Sequence, residues 1–144
     1  MKIDIREMTV ADYDEVYRLW SETEGMSLGE EDARDRIAFY LDRNPGLCFV
    51  ATVSCAIVGT VLCGHEGRRG ILRHLAVNRK FRGQGIARAM IEKCLTVLAG
   101  QGIIKCNIFV LDENVAGLNF WKHMGWYLLD DNYRTLQSLT NKVK

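Results

Sequence analysis

Residues 78–88 read NRKFRGQGIAR. Four basic side chains, Arg79, Lys80, Arg82 and Arg88, surround two glycines, Gly83 and Gly85, that stand one residue apart. A solvated turn needs one glycine at most, and core packing has no use for so much positive charge around a bare backbone. An anion has use for both. Ahead of the stretch, residues 71–77 (ILRHLAV) are an apolar run of strand length. Behind it, Ile86, Ala87, Met90, Ile91, Cys94, Leu95 and Leu98 recur at helical spacing. A strand that turns into a helix leaves N–H groups free at the helix start, where the dipole is positive. With no side chains at Gly83 and Gly85, a phosphate can approach those groups closely. Arginine can fork two phosphate oxygens.

Two common phosphate loops do not fit. The P-loop ends in Gly-Lys followed by Ser or Thr, a tripeptide this chain lacks. The dinucleotide fingerprint GxGxxG has an arginine, Arg88, where its third glycine belongs. Its acidic residue about 20 positions on is also missing, because residues 103–107 read IIKCN. What stands in the text is Arg-x-x-Gly-x-Ala, from Arg82 to Ala87.

Working outward, residues 3–8 alternate apolar and charged, as a half-buried strand does. Thr9 with Asp12 three residues on reads as a capping box. Tyr13, Val16, Tyr17 and Trp20 then share a helix face. A second helix from about residue 30 carries Ala33, Ile37, Tyr40 and Leu41 on one face and ends at Asn44-Pro45-Gly46. Residues 47–53 and 56–63 form a predicted hairpin around Ser54-Cys55. Gly100 and Gly102 stop the long helix. A strand over 103–111, a helix over 114–124 and a hairpin of 126–129 with 133–139 complete the order. That order, β α α β β β α β α β β, predicts an α/β (α+β) fold. Its mixed, largely antiparallel twisted sheet has about six to seven strands flanked by four helices, with a parallel crossover between 71–77 and 103–111.

The bulk numbers agree. A chain of 144 residues with no repeat and a lone proline, Pro45, suits one domain over 1–144. Net charge is +1, which excludes a global field for nucleic acid. Cys48, Cys55, Cys63, Cys94 and Cys106 are odd in number and form no CxxC pair, so they read as reduced core thiols and not as a metal site. The start, MKIDIREMTVADYDEV, has no apolar signal segment, and no apolar run reaches about 18 residues, so a cytoplasmic, non-membrane protein is expected.

The stretch HLAVNRKFRGQGIARAMIE, with NVAGLNFWKHMGW at 114–126, resembles the GNAT family of N-acetyltransferases. The first segment resembles the family's strand, pyrophosphate loop and helix; the second resembles its NxxAxxxYxxxGF pattern. The element order is similar over essentially the whole chain, most closely to small single-domain bacterial members. The resemblance implies acetyl-CoA as cosubstrate and a primary amine as acceptor, in a monomer or homodimer. It implies that Leu75, Ala76 and Val77 face the pantetheine arm, with the Leu75 amide aimed at the thioester oxygen. It implies that the loop amides of Arg82, Gly83, Gln84, Gly85, Ile86 and Ala87 hold the pyrophosphate, with Arg88 beside them, and that Asn114 touches the cofactor. Trp121 stands where the family often has an acidic tyrosine, and it reads as core packing or as a wall of the cofactor tunnel. Tyr133 or a water then becomes the acid for the leaving thiolate. Ile71 occupies the place of a glutamate used by some members, which leaves Glu66 or His74 as base. Asp130 and Asp131 read as a solvated turn or as a lure for a cationic amine. The different class of function kept beside this one is a CoA-binding module without catalysis.

Overall fold

Alternation in the N-terminal strand and the two apolar runs that follow it build a sheet, and the sheet places everything else. The computed structural model describes residues 2–129 and 134–142. They fall into two compact units, Met1–Leu111 and Asp112–Lys144.

In the first unit β1 (Asp4–Glu7) pairs antiparallel with β2 (Phe49–Val53), β2 with β3 (Ala56–His65), and β3 with β4 (Gly70–Val77). β5 (Cys106–Asn107) joins β4 in parallel, with Gly70 opposite Cys106 and Ile71 opposite Asn107. The expected crossover is therefore present, made by α3 (Ile86–Gly100). Ser54 and Cys55 have φ of 49° and 69°, the left-handed pair that suits a two-residue hairpin turn. α1 (Tyr13–Glu22) begins after a 3-10 turn at Val10–Asp12. The Asp12 carboxylate accepts from the Thr9 N–H at 2.9 Å and takes both Arg6 nitrogens at 2.8 and 2.9 Å. Arg6, with Thr9, holds that carboxyl below its ordinary range.

The sheet is covered on two faces. Val16, Leu19 and Trp20 of α1 and Ile37 of α2 (Arg34–Arg43) form one core cluster with Cys48, Val50 and Leu62. On the other face α3 buries Ile86, Met90, Ile91, Cys94 and Leu98, the stripe its spacing predicts. Each such side chain stabilises by roughly 1.5–3 kcal/mol on full burial. Gly59 shows how close α3 comes: a Cβ there would lie 3.0 Å from the Met90 methyl and 3.3 Å from Ile86. Cys48, Cys63 and Cys94 are buried as expected, and burial pushes the Cys48 thiol up to about 11. Cys55 is exposed in the hairpin turn and fills no core.

In the second unit α4 (Val115–His123) is the one α-helix among the described residues. Among the described residues the sheet has five strands, fewer than the six to seven expected. The run 103–111 makes a ladder only at Cys106–Asn107, leaving Ile104, Phe109 and Leu111 exposed. Residues 126–129 and 134–139 carry strand-like apolar residues but form no strand. Strand propensity describes fit to a half-buried pleated surface; it does not supply the partner that makes a ladder. No helix among the described residues is long and apolar enough to cross a membrane.

Candidate active site

The site begins where β4 ends. The Asn78 amide donates to the Val58 carbonyl at 2.7 Å, and its side chain accepts from the Lys80 amide, closing a 3-10 turn at Arg79–Phe81. Gly83 and Gly85 follow with φ of 80° and 81°, a left-handed backbone that glycine adopts without strain. Space beside both is open: a Cβ added at either would meet no atom within 4 Å. Gly85 caps α3, whose first bonded amide is that of Ala89, donating to Gly85 at 3.0 Å. The amides of Gly83, Gln84, Gly85, Ile86, Ala87 and Arg88 therefore have no acceptor among the described residues. The Arg82 amide is taken by the turn, donating to Arg79 at 3.4 Å, so the free set starts one residue later than the sequence implies.

The side chain of Arg82 also turns inward. Its Nε donates to the Val77 carbonyl at 2.8 Å and its Nη1 to Glu24 at 2.6 Å; Arg79 reaches the other Glu24 oxygen at 2.8 Å. Arg82, the backbone at Glu24 and Arg79 hold that carboxyl down at about 2. These arginines brace the loop after α1 against the glycine loop. Lys80 and Arg88 remain exposed at its surface.

Along β4 the two edges differ. On the β5 side the ladder stops at Ile71, so residues 72–77, with Leu75, Ala76 and Val77 among them, present an unpaired edge within the described residues. On the β3 side the register shifts between Thr60 and Leu62, so His74 and Leu75 together face Val61. This bulge puts His74 at φ 50°, a left-handed conformation uncommon for a side-chain-bearing residue. Buried groups hold it there. Trp20 Nε1 donates to Thr60 Oγ1 at 2.9 Å, and Thr60 Oγ1 donates to the His74 carbonyl at 3.0 Å. The Trp20 ring meets the imidazole edge-on with centroids 4.7 Å apart.

The imidazole has a partner that sequence reasoning missed. His74 Nε2 lies 2.7 Å from Oδ1 of Asp32, which is only 5% exposed. Asp32 Oδ2 accepts from the Gly29 amide at 3.0 Å, and its carbonyl accepts from the Tyr13 hydroxyl at 2.7 Å. A carboxylate so placed accepts a hydrogen bond from Nε2–H and leaves Nδ1 as the nitrogen that carries the lone pair. Nothing local in the sequence marks this pair, since 42 residues separate Asp32 from His74. Both line a cleft of about 930 Å³ under α2. Glu66, the other candidate base, sits in the β3–β4 turn, exposed and paired with Arg68 at 2.8 Å. About four strand residues, or roughly 13 Å, separate that turn from His74.

The second unit holds the remaining candidates. Asn114 caps α4, its Oδ1 accepting from the Gly117 amide at 2.9 Å. Trp121 is buried, packed edge-on to Trp126 with centroids 4.7 Å apart. Tyr133, Asp130 and Asp131 lie outside the described residues.

Known proteins are similar to this chain in sequence and in fold. The model of the acetyltransferase (GNAT) family matches residues 13–126. An acetyltransferase of Yersinia enterocolitica is 34% identical over 128 residues, 89% of this chain and 90% of the relative. The PaiA N-acetyltransferase of Thermoplasma acidophilum, solved in complex with coenzyme A, is similar in fold at TM-score 0.80 and 16% identity, covering 92% of this chain and 94% of that one. Ard1 of Thermoplasma volcanium is similar at TM-score 0.79 and 21% identity, covering 90% and 85%. The family match runs through the glycine loop and through α4 alike, and the chain therefore belongs to the acetyltransferase (GNAT) family, which draws its acetyl group from acetyl-CoA.

Proposed function

We propose that this chain is an N-acetyltransferase that moves an acetyl group from acetyl-CoA to a primary amine by direct attack. The observation that carries the proposal is the row of six amides over residues 83–88, unpartnered among the described residues, at the positive end of α3. Such a row suits a pyrophosphate, and the open space at Gly83 and Gly85 admits one. The free edge of residues 72–77 suits an extended chain carrying its own amides, which can add to a sheet edge as a strand would. The residues present fit the group. The whole of 1–144 acts as one acetyltransferase domain, a reading supported by a family match that spans both units.

Bound acetyl-CoA supplies a thioester, at whose carbonyl carbon a C–N bond forms as the C–S bond breaks. The chain supplies the rest. The Leu75 amide stabilises negative charge growing on the carbonyl oxygen. His74 Nδ1 takes the one proton that the amine gives up, while Asp32 holds Nε2–H and so fixes the ring. The thiolate gains one proton, from the Tyr133 hydroxyl or from water. With a thiol pKa near about 8.5, it leaves tolerably even unaided. Asn114 and Trp121 are assigned to the cofactor on the family resemblance of their helix.

Thermal stability with acetyl-CoA, NADH and ATP tests the loop, because binding to the native state raises the midpoint. A rise with acetyl-CoA alone supports the reading; a rise with NADH instead overturns it. Free thiol released in the presence of an amine panel tests transfer. Binding without release on any amine would leave a CoA-binding module.

A further inference from the structure

The cleft that holds His74 and Asp32 is cationic out of proportion to the chain. Arg36 and Arg43 from α2, Arg68 and Arg69 from the β3–β4 turn, and Arg73 from β4 all line it, against three carboxylates, Glu31, Asp32 and Glu66. The chain as a whole carries only +1, so positive charge has been gathered here. Two of the carboxylates are already engaged, Asp32 with His74 and Glu66 with Arg68. Arg36, Arg43, Arg69 and Arg73 make no ion pair with any described residue. Arg36 and Arg73 lie over the rings of Phe39 and Phe109, 5.4 and 6.0 Å from the centroids, which braces the guanidinium groups without spending their N–H donors.

Tyr40 adds a neutral donor. Its hydroxyl is buried in the lining of the same cleft with no hydrogen-bond partner among the described residues. Burial raises its pKa, so the proton stays on the oxygen. Unneutralised arginines on both walls of one concavity repel one another, and an anion between them removes that cost while gaining charge-assisted hydrogen bonds.

Resting on the transferase reading, we infer that the cleft takes an acceptor whose amine is accompanied by an anionic group, a carboxylate or a phosphate, held by the arginines of α2 and β4 while His74 receives the amine proton. The source of the anion is left to matched pairs of acceptors: alanine against alaninamide for a carboxylate, and phosphoethanolamine against ethanolamine for a phosphate.

Steady-state thiol release on each pair is compared between the wild type and the double variant Arg43→Gln, Arg73→Gln. The anionic member of at least one pair should be favoured in kcat/KM by about tenfold or more, as one good charge-assisted contact implies. The carboxylate and phosphate pairs tell the two sources apart. In the variant the preference should collapse through a raised KM, with acetyl-CoA affinity by calorimetry unchanged. Equal or better use of the neutral members, or a preference that survives the double substitution, overturns the inference and leaves the transferase reading standing. If acetyl-CoA fails to bind the wild type, the transferase reading falls. The cleft is then judged by calorimetry with inorganic phosphate: binding lost in the variant keeps the anion site, and no binding removes it.

Discussion

The loop after β4 and the cleft beside it present polar groups by opposite means. The loop offers backbone: six amides over residues 83–88, two glycines that open the approach, and no side chain that must point at the ligand. The cleft offers side chains from separate elements. Asp32 precedes α2, His74 sits in a β4 bulge, and Trp20 and Thr60 hold the bulge from α1 and β3. A backbone site tolerates most substitutions and fails only where a Cβ intrudes. A side-chain site fails wherever one member is lost, because each buried polar group is left without its partner. Four substitutions test that contrast.

The largest effect belongs to the cleft. His74→Gly keeps the left-handed backbone without strain and removes the imidazole. Turnover should fall by about 10²- to 10⁴-fold, the range of general-base catalysis, with acetyl-CoA affinity unchanged. Unaltered kcat/KM would remove His74 from the chemistry and with it one half of the comparison. The loop comes second. Gly85→Glu puts a carboxylate into the anion's space at φ 81°, and acetyl-CoA affinity measured by calorimetry should drop by at least about tenfold through loss of charge-assisted bonds. Binding that persists would show that the amides are not the cradle.

The third test touches only the support. Trp20→Phe removes the donor to Thr60 Oγ1 in a fully buried place. Urea unfolding should show a loss of about 1–3 kcal/mol with the slope m unchanged. The smallest effect is Glu24→Gln, which loosens the brace onto Arg79 and Arg82 at the surface. Its melting temperature at pH 7 should fall by no more than about 4 °C. The folded-state pKa of Glu24, about 2, lies below the ordinary 4.5. Its contribution is thus complete above pH 4.5 and is lost as pH falls toward 2, so wild type and variant should converge over that window. A gap that stays constant with pH would mean that Glu24 acts through packing and not charge.

Much of this was legible in the chain. The stripe Ile86, Met90, Ile91, Cys94, Leu98 and the glycines at 83 and 85 specify a helix entered through an open turn, because period and backbone freedom are local properties. The hairpin at Ser54-Cys55 follows in the same way from the two short apolar, β-rich runs on either side of it. The second unit shows where this stops. Residues 126–129 are as apolar as a strand, yet no ladder forms, since pairing depends on a partner that composition does not name.

Sequence by itself thus determined the family, the open glycine turn after β4 and the order of elements as far as α4, all carried by residues close together in the chain. Tertiary structure decided which side of β4 stays open, which candidate base has a buried carboxylate beside it, and where the arginines converge. Glu66 and His74 are equal as text. They differ once the β3 register shifts by one residue and aims His74 at an aspartate 42 positions away. Arg36, Arg43 and Arg73 are scattered charges until α2 is laid beside β4. Local patterns are written in propensity and spacing, whereas a side-chain site is a meeting of distant positions that exists only after the sheet and helices have packed.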